Sequence, residues 1–139
     1  YTKSVSGDTK EWNWNSSGYA QMNGYNSGVT EEDWLIFPGV NLDNYSDEII
    51  TFDSWYKYGT DDANNYLKLV YSTNYPGIGD PNSYSWTELN FTHPSAAETW
   101  TSSGDVDLSS ISGTSVYIGL KYRYKSGSYR WWEIDNVNI

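Results

Sequence analysis

The sequence predicts an all-β fold, a two-sheet antiparallel β-sandwich of jelly-roll type, and three observations lead there. Apolar and aromatic residues recur with period two and never hold a helical period over two turns. The runs are separated by Asn, Asp, Ser, Gly and Pro, the residues that turns require. Tyr (14), Trp (8) and Phe (3) make 18% of the chain aromatic while all hydrophobic residues reach only 37%, so the core must be built largely of rings, which suit a pleated surface. The 139 residues, without internal repeat or linker, fit one core and hence a single module over 1–139, excised from a larger multidomain protein.

The elements follow in chain order. Thr2–Ser6, Glu11–Asn15 and Gly18–Asn23 read as strands, set apart by Ser6-Gly7-Asp8 and Asn15-Ser16-Ser17-Gly18. Asp33–Phe37 is the next, stopped by Pro38-Gly39, which cannot continue a central ladder. A long strand over 48–58 puts Ile50, Phe52, Ser54, Tyr56 and Tyr58 on one face and Thr51, Asp53, Trp55 and Lys57 on the other. Asn65–Tyr71 places Leu67, Leu69 and Tyr71 opposite Tyr66, Lys68 and Val70. The connection over 72–83 exceeds any tight turn and is long enough to carry function. Short strands are expected over 85–89 and 97–101. Ser115–Tyr124 sets Val116, Ile118, Leu120, Tyr122 and Tyr124 against Tyr117, Gly119, Lys121 and Arg123, and a turn at 125–128 leads into a last strand over 129–139. Leu67, Leu69, Ile118, Leu120, Phe52 and Trp132 are expected to be buried together, with Trp12, Trp34, Trp86 and Trp100 also in the core and Trp14 left open.

Composition excludes several functions. With no cysteine there is neither a disulfide framework nor a thiolate metal site or nucleophile. The sole histidine, His93, precedes Pro94 in a loop and reads as a solvated residue, which leaves no Ser-His-Asp triad or multi-histidine metal site. A formal net charge of −10, from 18 acidic and 8 basic residues, repels nucleic acid and anionic membranes. No stretch is long and apolar enough to span a bilayer, and any leader peptide would lie upstream of Tyr1. Excess Asp in loops suits Ca²⁺, which takes several hard oxygen ligands.

Several segments in fixed order carry a family resemblance. They are Ser4-Val5-Ser6-Gly7-Asp8 with Trp12, Asp33-Trp34-Leu35-Ile36 with Pro38, and Val40-Asn41-Leu42. Ile50-Thr51-Phe52-Asp53, Tyr71-Ser72-Thr73-Asn74-Tyr75 with Gly77 and Asp80-Pro81, Trp86-Thr87, and the closing Trp132-Glu133-Ile134-Asp135-Asn136-Val137 complete the set. Together they resemble the choice-of-anchor J and cleaved-adhesin group. The resemblance implies a jelly roll akin to MAM domains and to many carbohydrate-binding modules, carried by secreted multidomain bacterial proteins, with an edge strand upstream of the Ser4 segment. It also implies a structural Ca²⁺ between the N-terminal region and the last strand, with Asp135, and further Asp53 and Asp8, as ligands; the alternative for Asp135 is a capping carboxylate at a strand bulge.

Sugars need flat apolar faces for the CH side of the ring and planar amides, carboxylates or guanidinium groups for its hydroxyls. The face turned from the core carries Trp55, Lys57, Tyr66, Lys68, Tyr117, Lys121 and Arg123, a platform if the strands are neighbours, with Arg123 or Lys121 reaching a hydroxyl of a sugar stacked on Trp55. Tyr129 and Trp131, flanking Arg130 in the final hairpin, form a second candidate at the rim. The alternative is that these rings cover the second sheet face or pack under loops. Glu31-Glu32-Asp33 and Asp61-Asp62 do not suit a glycosidase pair, because adjacent strand residues point to opposite faces; loop solvation or calcium ligation fits them better. The expected function is a non-catalytic carbohydrate-binding accessory module, extracellular or at the cell surface, monomeric, with a polysaccharide or oligosaccharide as partner. A structural or adhesive spacer is the alternative.

Overall fold

A computed structural model describes residues 1–5 and 8–139; Ser6 and Gly7, the end of the first expected strand and part of the resemblance, lie outside the described residues. The strands are β1 (Thr2–Ser4), β2 (Asn13–Trp14), β3 (Ala20–Met22), β4 (Glu31–Ile36), β5 (Ile49–Lys57), β6 (Tyr66–Ser72), β7 (Thr87–Leu89), β8 (Thr101–Ser102), β9 (Val106–Asp107), β10 (Tyr117–Tyr124) and β11 (Trp131–Asn138). A single 3-10 turn, Pro81–Ser83, is the only helical element among the described residues. Pairing is antiparallel throughout, in one sheet ordered β1-β4-β10-β6-β7 and another ordered β2-β3-β11-β5-β8 with β9 on β5. The two pack face to face as a β-sandwich of jelly-roll type.

Period-two alternation sets the interior as the sequence predicts. Leu67, Leu69, Ile118, Leu120, Phe52 and Trp132 lie in one buried cluster with Trp12, Met22, Ile50, Val116, Tyr122, Tyr124 and Ile134. The 97–101 segment departs from expectation: only Thr101–Ser102 pairs, and Trp100, expected in the core, is 43% exposed. Trp100 precedes that short strand and meets the edge of Tyr19 at 5.7 Å, outside the sandwich. Trp14 stands 72% exposed. His93 is solvent-accessible, but its ring stacks on Phe91 at 4.0 Å and meets Trp132 edge-on.

A second apolar cluster sits on the outer face of the five-stranded sheet. Register pairs Trp34 with Lys121 and Ile36 with Gly119, so Trp34 and Ile36 point away from the main core, while Asp33 and Leu35 point into the sandwich opposite Tyr122 and Leu120. The 73–86 connection folds back over them, burying Trp34, Ile36, Val70 and Tyr75 with Trp86, Tyr84 and Tyr117 half-buried around them. Trp34 and Trp86 are 5.0 Å apart, and Tyr75 lies 5.3 Å from each of Tyr84, Trp86 and Tyr117. The long connection is therefore a lid of packed rings.

That lid depends on Gly77, at φ +85°, where an added Cβ would lie 2.4 Å from the Tyr117 hydroxyl. A left-handed conformation costs a non-glycine residue on the order of 1–2 kcal/mol, and the clash adds to it. Gly77→Ala is expected to lower unfolding free energy by about 2 kcal/mol, read as a lower urea midpoint at unchanged slope. An unchanged midpoint would mean that the lid contributes no stability.

Candidate functional site

The expected single platform divides between the two outer faces. β5 pairs with β11 in one sheet, whereas β10 pairs with β4 and β6 in the other. Trp55 and Lys57 are thus on the opposite side of the molecule from Tyr66, Lys68, Tyr117, Lys121 and Arg123. No sugar stacked on Trp55 can reach Arg123 or Lys121.

The five-stranded face is already occupied by its own partners. Tyr117 belongs to the ring cluster under the lid. Lys68 pairs with Glu88 at 2.6 Å and lies over the Tyr66 ring, Lys121 pairs with Glu32 at 3.2 Å over Trp34, and Arg123 lies 3.7 Å from Glu32 and donates to the Asn64 carbonyl. Each cation has a carboxylate beside it, and little flat apolar surface is left open.

The six-stranded face differs. Register aligns Asn13, Gln21, Glu133 and Trp55 in one row across β2, β3, β11 and β5, with Trp131 and Lys57 in the neighbouring row. At roughly 4.8 Å per strand the row spans about 15 Å. Trp55 and Trp131, both half-buried, meet edge to face with centroids 5.6 Å apart. Beside them Gln21 Nε2 donates to Asn13 Oδ1 at 2.9 Å, and Asn15 Nδ2 donates to Gln21 Oε1 at 3.1 Å. Glu133 is buried under this surface; burial pushes its carboxyl up, opposed by the Tyr19 hydroxyl. Lys57 pairs with Glu98 at 3.0 Å at the sheet's far side.

Trp131 also walls two clefts at the loop rim. One, about 930 Å³, is lined by Tyr25, Tyr58, Tyr129 and Trp131 with Asn23 and Asn26; the other, about 580 Å³, runs from Lys10 and Glu11 past Asn13, Gln21 and Tyr25 to Trp131. Both sizes suit small-ligand sites. Tyr25 and Tyr58 are 66% and 64% exposed, an arrangement that stability does not call for. Tyr58 has φ 62°, rare for a bulky residue and typical of positions held for a purpose. Arg130 holds it: Nε donates to the Tyr58 carbonyl at 3.1 Å and Nη2 to the Gly59 carbonyl at 3.2 Å, while the guanidinium stacks 3.9 Å over Tyr56 and pairs with Asp61. Tyr129 is anchored through its hydroxyl by Ser27 and the Val29 carbonyl, leaving its ring as cleft wall. Of the expected binding residues, the structure thus brings together Trp55, Lys57, Tyr129 and Trp131. It adds Asn13, Gln21, Tyr25, Tyr58 and Glu133. A tyrosine inside Asn/Gly-rich turns, as at Asn23-Gly24-Tyr25-Asn26 and Tyr58-Gly59, was the available signal for two of these.

The calcium ligands implied for the closing motif fit poorly. Asp135 and Asp53 face each other across β11 and β5, but Asp135 Oδ1 accepts the Asn136 N–H at 2.8 Å and Asp53 Oδ2 accepts Asn136 Nδ2 at 2.8 Å. Asn136, at φ 52°, sits in the register shift of β11. These carboxylates serve the bulge, the capping alternative. Among the described residues no three or more His, Cys, Asp and Glu side chains are grouped to hold a metal.

Fold and surface together define a jelly-roll β-sandwich module with an aromatic and amide-bearing outer sheet face. The chain belongs to the family described as Domain of unknown function (DUF5017), whose profile matches residues 5–139. Among solved structures it is similar to the K2 cleaved adhesin domain of Lys-gingipain (Kgp), with a TM-score of 0.57 and 14% identity over 98% of this chain and 87% of that one. The K1 domain of Lys-gingipain from Porphyromonas gingivalis W83 gives a TM-score of 0.54 and 14% identity over 98% and 88%, and the K3 domain from the same strain 0.52 and 16% over 98% and 87%. At such identities the likeness is one of fold, and it bears out the cleaved-adhesin half of the resemblance at that level. None of the curated proteins matches the chain. No helix among the described residues is long and apolar enough to cross a membrane.

Proposed function

We propose that this chain is a non-catalytic carbohydrate-binding module of a secreted or cell-surface bacterial protein, which takes its glycan across the outer face of the six-stranded sheet. The observation that carries this reading is the Trp55–Trp131 pair, edge to face at 5.6 Å, beside Gln21, Asn13 and Glu133 and opening into a tyrosine-lined cleft. Rings of that size offer the flat apolar face a pyranose stacks on, and the amides offer donors and acceptors for its hydroxyls. The net charge of −10 argues for a neutral glycan over an anionic one.

Affinity electrophoresis against plant, algal and microbial polysaccharides tests it. At least one neutral polysaccharide is expected to retard the protein. Unchanged mobility on every glycan would hand the function to the alternative, an adhesive or structural spacer.

A further inference from the structure

Two further rings stand on the outer face of the six-stranded sheet. Tyr19 precedes Ala20, which is buried in the core, so alternation turns Tyr19 outward with Gln21. Trp100 leads into β8, where Thr101 pairs with the buried Ser54, and so comes out on the side of Trp55. Their rings meet edge-on at 5.7 Å. Yet β3 and β8 lie three strand spacings apart in the order β3-β11-β5-β8, about 14 Å at roughly 4.8 Å each. The two side chains therefore reach toward one another across β11 and β5 and lie over the sheet.

The segment that carries Trp100 is fastened to the sheet edge. The Glu98 N–H donates to the Tyr56 carbonyl at 2.8 Å and the Glu98 carboxylate pairs with Lys57 at 3.0 Å, so residues 98–102 run alongside β5. Glu98 takes φ 60°, uncommon for a residue other than glycine and kept only where its surroundings hold it. Trp100 is nonetheless 43% exposed and Tyr19 half-buried, an open pair of rings that packing alone does not call for. Along the strands, Trp131 stands two residues before Glu133, and Tyr19 two residues before Gln21, the partner of Glu133 on the antiparallel strand. Each step is about 7 Å, so Trp131 and Tyr19 flank Glu133 on opposite sides, about 14 Å apart along the strands.

On the reading that this face binds glycan, we propose that Tyr19 and Trp100 form a second stacking subsite beside that of Trp55 and Trp131, and that the occupant of both is an extended, ribbon-like chain of β-linked pyranoses. Two sets of rings on one sheet face need sugars that stay in one plane over the distance between them. A cellulose-type chain is straight enough to meet both sets, whereas a chain that coils, as amylose and laminarin do, leaves the plane after the first. The Gln21 amide lies between the two sets and offers a donor and an acceptor to the hydroxyls of the intervening sugar. The Glu133 carboxylate beneath disfavours an anionic chain.

Affinity electrophoresis on hydroxyethyl cellulose, glucomannan and xylan, with amylose, dextran and laminarin beside them, tests the choice of chain. Calorimetric titration with cellobiose and cellohexaose, or with the mannan or xylan counterparts where that backbone retards more, tests the subsite. Retardation by at least one of the first three polymers is expected, and the hexasaccharide should bind roughly 5- to 150-fold more tightly than the disaccharide, the gain of one further stacked ring. Trp100→Ala should remove that gain while melting within about 5 °C of the wild type, and Trp100→Phe, which keeps a flat ring, should retain most of it. Binding to amylose, dextran or laminarin but to none of the ribbon-like chains overturns the proposal and leaves the carbohydrate-binding reading standing. A Trp100→Ala protein that keeps the full gain also overturns it, and makes the Tyr19–Trp100 pair a cover over Glu133. Unchanged mobility on all six polymers overturns the carbohydrate-binding reading and the second subsite with it.

Discussion

Trp34→Ala is expected to lower the unfolding free energy by about 3–5 kcal/mol, the range for deleting a buried Trp. Trp34 is 1% exposed and packs against the tilted ring of Trp86 with centroids 5.0 Å apart, and its removal opens a void beneath the lid where Ile36, Val70 and Tyr75 converge. Among the described residues its buried indole N–H has no hydrogen-bond partner, so Trp34→Phe loses volume but also sheds an unmet polar group, and is expected to cost under about 2 kcal/mol. Urea unfolding followed by circular dichroism measures both. Against a typical stability of about 5–15 kcal/mol, the alanine variant would be close to the folding threshold. A loss below about 1 kcal/mol would show that the outer cluster is surface decoration, and that the sandwich stands without it.

The second large effect is on binding. Trp55→Ala and Trp131→Ala should each weaken glycan affinity by about 1–3 kcal/mol, by analogy with bases stacking on aromatic side chains, which is roughly 5- to 150-fold. The two rings touch, so the double variant should lose less than the sum of the single changes. Stability should change little, since both rings are half-exposed and an aromatic pair contributes only about 0.5–1.5 kcal/mol beyond its burial. Arg123→Ala and Lys121→Ala should leave affinity intact, because both residues stand on the other outer face. Titration by calorimetry or affinity electrophoresis separates these outcomes. Loss of binding in the Arg123 and Lys121 variants with retention in the tryptophan variants would place the site on the five-stranded sheet.

Alternation along a strand is local, and it was legible: Phe52, Leu69 and Leu120 face in while Trp55, Lys68 and Lys121 face out, because successive side chains must point to opposite sides. The fold class, the aromatic core and the position of Tyr129 and Trp131 at the rim followed from the same reasoning. Which outward residues share a surface depends on strand pairing between positions distant in the chain. Trp55 neighbours Glu133, not Lys121, and nothing within β5 states that. In β4 both faces carry large apolar groups, Trp34 and Ile36 on one and Leu35 on the other, so the local pattern does not say which is inner. Only tertiary structure decides it: the 73–86 lid offers Trp34 and Ile36 a second apolar shelter, which frees the inner face to hold Glu31 and Asp33. Two carboxylates inside a sandwich are visible only once register has turned them inward, since burial belongs to the packed molecule and not to the residue.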